Sequence, residues 1–146
     1  MKRYALLFVV AVVAVYVALI YVPIDPVERR PGMRLGGDPA PAQDIDWSFL
    51  EGRTRAWLET RTWYLIPHSI TVSVWADGGI LYVGCVACDT KVWPKYVARD
   101  DRVRLKIGDV IYARRAARIV DPAEREKIMG ARGARSGYAL FRLEPR

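Results

Sequence analysis

The pattern of apolar and polar positions divides the chain into three regimes. From Tyr4 to Pro23 the residues are uncharged and almost all apolar, without a break. From Pro23 to Gln43 no period is present; the stretch is punctuated by Pro23, Pro26, Pro31, Pro39 and Pro41 and by Gly32, Gly36 and Gly37. Beyond Asp44, short alternations of apolar and polar residues take over, the period of half-buried strands. As a helix, Tyr4 to Val22 would rise roughly 28 Å at about 1.5 Å per residue, close to the hydrocarbon thickness of a bilayer. The run exceeds the roughly 7–15 residues of a signal-peptide core. Ala18-Leu19-Ile20-Tyr21-Val22 also offers no pair of small residues at cleavage spacing. Residues 1–23 are therefore expected to be a single-pass membrane anchor, residues 24–43 an extended tether and residues 44–146 the folded domain. Lys2 and Arg3, directly before the apolar run, favour a cytoplasmic N-terminus and an extracytoplasmic domain, against competition from Arg29, Arg30 and Arg34.

Within the domain, Asp44 or Asp46 is placed to cap a short helix over Trp47 to Leu50 that Gly52 ends. Arg55 to Ile66 reads as a strand or strand pair, with a bend at Pro67 and His68. Ile70, Val72 and Val74 alternate with Thr71, Ser73 and Trp75, and Asp77-Gly78-Gly79 is a hairpin turn leading into Ile80 to Gly84. After a loop of small residues, Pro94 fits the first turn of a short helix. Val103, Leu105 and Ile107 alternate with Arg102, Arg104 and Lys106, and Gly108-Asp109 turns the chain into Val110 to Val120. Asp121 is a helix cap followed by Pro122, with Glu124 three residues on, and Gly130 ends that helix. Tyr138 to Leu143 is a last strand. Tight turns between short strands predict a mostly β (α+β) domain: a small antiparallel barrel of about six strands with short helices.

Composition changes this picture little. The 146 residues carry a formal net charge of +7, which favours anionic partners. The cations are dispersed, without a block of like charge, so a nucleic-acid partner is not expected. Cys85 and Cys88 are the only two cysteines, too few for a disulfide-built fold. Their spacing suits thiol–disulfide exchange, a structural disulfide or buried thiols. A zinc site would need four ligands, and His68 is the only histidine, so no metal is expected.

The run DGGILYV, the segment TKVWPKYVARDDRVRLKIG and the closing DPAER together resemble the flavin-binding split β-barrel superfamily. That superfamily includes pyridoxamine-phosphate-oxidase-like proteins and the deazaflavin-dependent nitroreductases. Lys91, Trp93, Ala98, Asp101 and Val103 fall into its pattern, as do residues 121–125, and the likeness spans about Trp57 to Leu143. The chain departs from it where flavin-binding members carry a polar loop before the lysine and this one has Cys85-Val86-Ala87-Cys88. The resemblance implies a split barrel and an FMN or deazaflavin cofactor. Lys91 and Trp93 come from the pattern as cofactor-binding candidates. Arg102, Arg104 and Lys106 join them because alternation puts these cations on one strand face, where they could hold a phosphate. Trp57, Trp63, Trp75 and Trp93 are suited to an isoalloxazine pocket, to the core or to a homodimer interface. The expected function is a membrane-anchored, nitroreductase-like oxidoreductase of unknown substrate. The alternatives are a cofactor-less binding module and a thiol–disulfide redox protein using Cys85 and Cys88.

Overall fold

The computed structural model describes residues 2–41, 45–50, 52–130, 133 and 135–146. A helix α1 spans Lys2–Tyr21; beyond Arg3 it is apolar and exposed, with Leu19 and Ile20 half-buried, and it is long and apolar enough to cross a membrane. Strand β1 is Asp38–Pro39. Strands β2 (Thr54–Arg61), β3 (Pro67–Asp77) and β4 (Ile80–Cys85) follow, then helix α2 (Trp93–Arg99). Strands β5 (Arg102–Ile107) and β6 (Val110–Ile119), helix α3 (Pro122–Met129) and strand β7 (Ala139–Pro145) complete the chain.

Strands β2 to β7 close on themselves in the order β6-β5-β2-β3-β4-β7, with β7 pairing back to β6. All of these pairs are antiparallel. Closure leaves no long free strand edge. The fold class expected from the alternations is the one observed. Leu58, Val74, Val83, Leu105 and Phe141 point into the barrel and are essentially fully buried. Gly78 and Gly79 adopt positive φ at the β3–β4 hairpin, as that turn requires. Asp121 caps α3 by accepting a bond from the Ala123 amide at 3.0 Å, and Gly130 ends the helix.

The structure corrects the expected elements in two places. Strand β2 stops at Arg61, so Trp63 and Tyr64 lie in an exposed loop rather than a strand. The loop is held by the Leu65 amide on the Thr62 carbonyl and by the Thr62 hydroxyl on the Ile66 carbonyl. Pro67, read as a bend, is the first residue of β3, a position where proline's missing N–H is tolerated.

The second correction concerns the tether. The segment expected to be extended and free is docked on the barrel wall. The Ile24 amide bonds the Arg34 carbonyl at 2.9 Å and the Met33 amide bonds the Ile24 carbonyl at 2.8 Å, which closes a loop. Gly32 exchanges two backbone bonds with Ser69 on β3, at 2.9 and 3.0 Å. A Cβ at Gly32 would lie 2.2 Å from the Ile24 carbonyl oxygen, so glycine is needed for this close approach. Leu35 is 1% exposed, and β1 pairs in parallel with β6. Prolines that read as linker composition therefore shape a segment whose backbone bonds are made with the barrel. Ala42, Gln43 and Asp44, and with them the expected boundary at 43–44 and the Asp44 cap, lie outside the described residues; Asp46 caps the 3-10 turn Trp47–Phe49.

Candidate functional site

Alternation along β5 does put Arg102, Arg104 and Lys106 on one face, but each is already paired within the protein. Arg102 makes two bonds of 2.7 Å to Asp100 and holds that carboxyl below the usual carboxylate range. Arg104 donates to Glu59 of β2 at 2.6 Å and to the Leu35 carbonyl at 3.2 Å. Lys106 is buried beneath the docked segment, 2.5 Å from Asp25, and lies against the Trp57 ring. Two of the three cations thus fasten residues 25–35 to the barrel. Their charge is neutralised by carboxylates, which removes the reason for a phosphate to bind there.

Unpaired cations gather instead around a cleft of about 1050 Å³ lined by the docked segment, β3, the end of β4 and the loop before α2. Arg29 and Arg30 reach it from the docked segment, Arg55 from β2 and Lys91 from the loop before α2. All four are exposed, and among the described residues none makes an ion pair. Among the described residues Glu28 is the one acidic side chain lining the cleft, and Ile70, Val72 and Val86 give it apolar wall. Arg29 and Arg30 are positioned by a tight turn in which Val27 and Arg30 exchange two backbone bonds, at 3.2 and 2.8 Å. A second cleft of about 710 Å³ is less suited to an anion. There Arg114 lies over the Trp47 ring and Arg142 pairs with Glu124.

Of the candidate residues, Lys91 and Trp93 line the cationic cleft together, but Trp93 does so from the core: it is 6% exposed and packs on Phe141 at 4.8 Å between ring centroids. The four tryptophans do not share a pocket. Trp75 stacks on Tyr82 beneath Arg53, Trp57 meets Lys106, and Trp63 is 69% exposed at the far end of β2.

Cys85 and Cys88 are joined in a disulfide with Cα atoms 5.2 Å apart, within the usual span. Both are buried in the core, and Cys85 forms part of the cleft wall. The Cys88 amide bonds the Gly137 carbonyl at 2.7 Å, so the loop is fixed by more than the bridge. Chain-entropy reasoning gives so short a loop about 2 kcal/mol or less of stabilisation. Replacing both cysteines by serine is expected to lower stability by about 3–5 kcal/mol in a urea titration, the bridge's share plus the cost of two hydroxyls in the core, with the fold retained. Among the described residues, no group of three or more His, Cys, Asp or Glu side chains is arranged to hold a metal ion.

Solved structures share this architecture. General stress protein 26 from Bacillus anthracis superposes with a TM-score of 0.53 at 17% identity, over 64% of this chain and 81% of that one. A Listeria innocua protein, provisionally assigned as a pyridoxamine 5'-phosphate oxidase, gives 0.53 at 15% identity, over 64% and 84%. The fold they share with this chain is a six-stranded antiparallel split β-barrel. No family model matches the sequence, and no curated protein matches it.

Sequence reasoning did not place Arg29, Arg30 and Arg55 in a site. The local signal for the first two was the Arg-Arg-Pro run inside a proline-rich stretch, which weighs only in membrane topology unless that stretch is docked. Arg55 carries no local signal; it reaches the cleft only because β2 pairs with β3.

Proposed function

We propose that this chain is a membrane-anchored split-barrel protein whose cationic cleft binds the phosphate of a flavin-type cofactor, serving an oxidoreductase reaction. The observation that carries this reading is the convergence of Arg29, Arg30, Arg55 and Lys91 on one cleft without carboxylate partners among the described residues. A phosphate needs several cationic donors, and arginine presents them as a planar fork. The cleft's volume is near the upper end for small-molecule sites, and its apolar wall offers a surface for a ring system. These residues fit FMN. Arg29, Arg30, Arg55 and Lys91 would hold its phosphate, with Ile70 and Val72 beside its ring. The bound flavin or deazaflavin would supply the hydride chemistry, while the chain orients it and limits water access.

Helix α1 serves as the anchor in this reading. The disulfide supports an extracytoplasmic domain, since disulfides persist in oxidising compartments. The nitroreductase-like branch is supported only by the order of motifs from Asp77 to Arg125.

The test is reconstitution. Purified full-length protein mixed with FMN, or with a deazaflavin, and then desalted is expected to retain absorbance between about 370 and 450 nm, where these cofactors absorb. Protein that emerges colourless from both mixtures would count against a cofactor role and favour a cofactor-less binding module.

A further inference from the structure

The loop between β2 and β3 exposes three large apolar side chains in succession. Trp63 is 69% exposed, Tyr64 39% and Leu65 55%. Leu65 has φ of +67°, a left-handed conformation that a leucine adopts only when its surroundings hold it there. Water is a poor environment for this tip, and its position suggests another. The Tyr16 hydroxyl of α1 donates a hydrogen bond to the Tyr64 carbonyl. Tyr16 lies five residues before the end of α1 at Tyr21, so the contact is about 7–8 Å inside that end at 1.5 Å per residue. A phenol at that depth in an apolar helix needs a partner, since hydrocarbon offers none. The loop carbonyl is that partner.

Groups suited to the lipid headgroup level surround the same end of the barrel. Arg34 lies over the Tyr21 ring at the end of α1. Arg61 immediately precedes the loop and is half exposed. Tyr96 of α2 neighbours Tyr64, and Arg99 follows it by one helical turn. Exposed tryptophan and tyrosine with flanking arginines are the composition of a membrane interface.

We propose that the Trp63-Tyr64-Leu65 tip is inserted into the headgroup–acyl boundary of the bilayer beside α1, fixing the barrel against the membrane at a second point. This rests on reading α1 as a membrane span. The occupant of the exposed patch is lipid rather than a protein partner, because the patch is continuous with the helix that would enter the bilayer. Its arginines favour anionic headgroups.

Full-length protein reconstituted into vesicles of phosphatidylcholine and phosphatidylglycerol, with bromines on the acyl chains near the headgroups, tests this by tryptophan quenching. Trp47 and Trp93 are buried in the barrel, and Trp63 is the most exposed of the five. Brominated lipid is expected to quench wild-type fluorescence, and Trp63→Phe should remove at least half of the quenched signal. Trp63 is mostly exposed and lies outside the buried core clusters, so the variant should fold. Protein that floats with the vesicles but whose quenching is the same in wild type and Trp63→Phe would overturn the proposal while leaving the anchor intact. Protein that does not float would overturn the anchor and the insertion together.

Discussion

Glu59→Ala is expected to cost about 3 kcal/mol, the lower end of the range for removing one member of a buried ion pair, since the Arg104 side chain keeps 26% of its exposure. Glu59 is 8% exposed and accepts from the Leu35 amide at 2.7 Å and from Arg104 at 2.6 Å. Alanine would orphan the buried Leu35 amide and leave Arg104 with only the Leu35 carbonyl, at 3.2 Å. Both consequences fall on the same place, the join between the docked segment and the barrel. The loss should therefore appear first as local opening. Amide hydrogen exchange at Gly32 and Leu35 is expected to accelerate by a hundredfold or more, while amides of β3 and β4 change less. Glu59→Gln keeps an oxygen for the Leu35 amide and should recover part of the loss. Unchanged exchange at Leu35 in the alanine variant would mean that residues 24–35 do not depend on this ion pair.

Trp93→Ala is expected to lower stability by about 3–5 kcal/mol, the usual cost of emptying a buried tryptophan site. Trp93 begins α2, and its ring fills the space between that helix and Phe141 of β7. A urea midpoint lower by about 1–5 M should result, given m-values of about 1–3 kcal/mol/M for small domains. Trp93→Phe should restore most of it. A cofactor-stacking tryptophan would behave differently, losing flavin affinity with the midpoint unchanged, and that result would move Trp93 from the core to the site.

These two residues show where sequence reading succeeds and where it stops. Val103, Leu105 and Ile107, like Ile70, Val72 and Val74, carry a strict period of two, and the barrel follows from such local patterns with the Gly78-Gly79 turn and the Asp121 cap. The common face of Arg102, Arg104 and Lys106 was legible for the same reason. Their partners were not. Glu59 lies 45 residues from Arg104 and Asp25 lies 81 from Lys106, so only the closed sheet and the docked segment reveal that two of these charges are spent on structure. Residues 24–41 were misread because proline and glycine weaken every periodic signal, while the segment is held by backbone bonds that composition does not encode. The cleft suffered from the same blindness. Arg29, Arg30, Arg55 and Lys91 come from three separate stretches of chain that meet only once that segment lies on β3.

The central claim is that the free cations, and not the paired stripe on β5, make the binding site and read a phosphate. Titration of FMN and riboflavin side by side into full-length protein tests it most directly, because the two ligands differ by that phosphate alone. FMN is expected to bind at least tenfold more tightly than riboflavin, a difference of about 1.4 kcal/mol or more. The Arg55→Ala/Lys91→Ala variant should lose most of that difference, while Arg102→Ala should keep it. Equal affinity for the two ligands, or a preference for FMN that survives the double variant, would contradict the assignment.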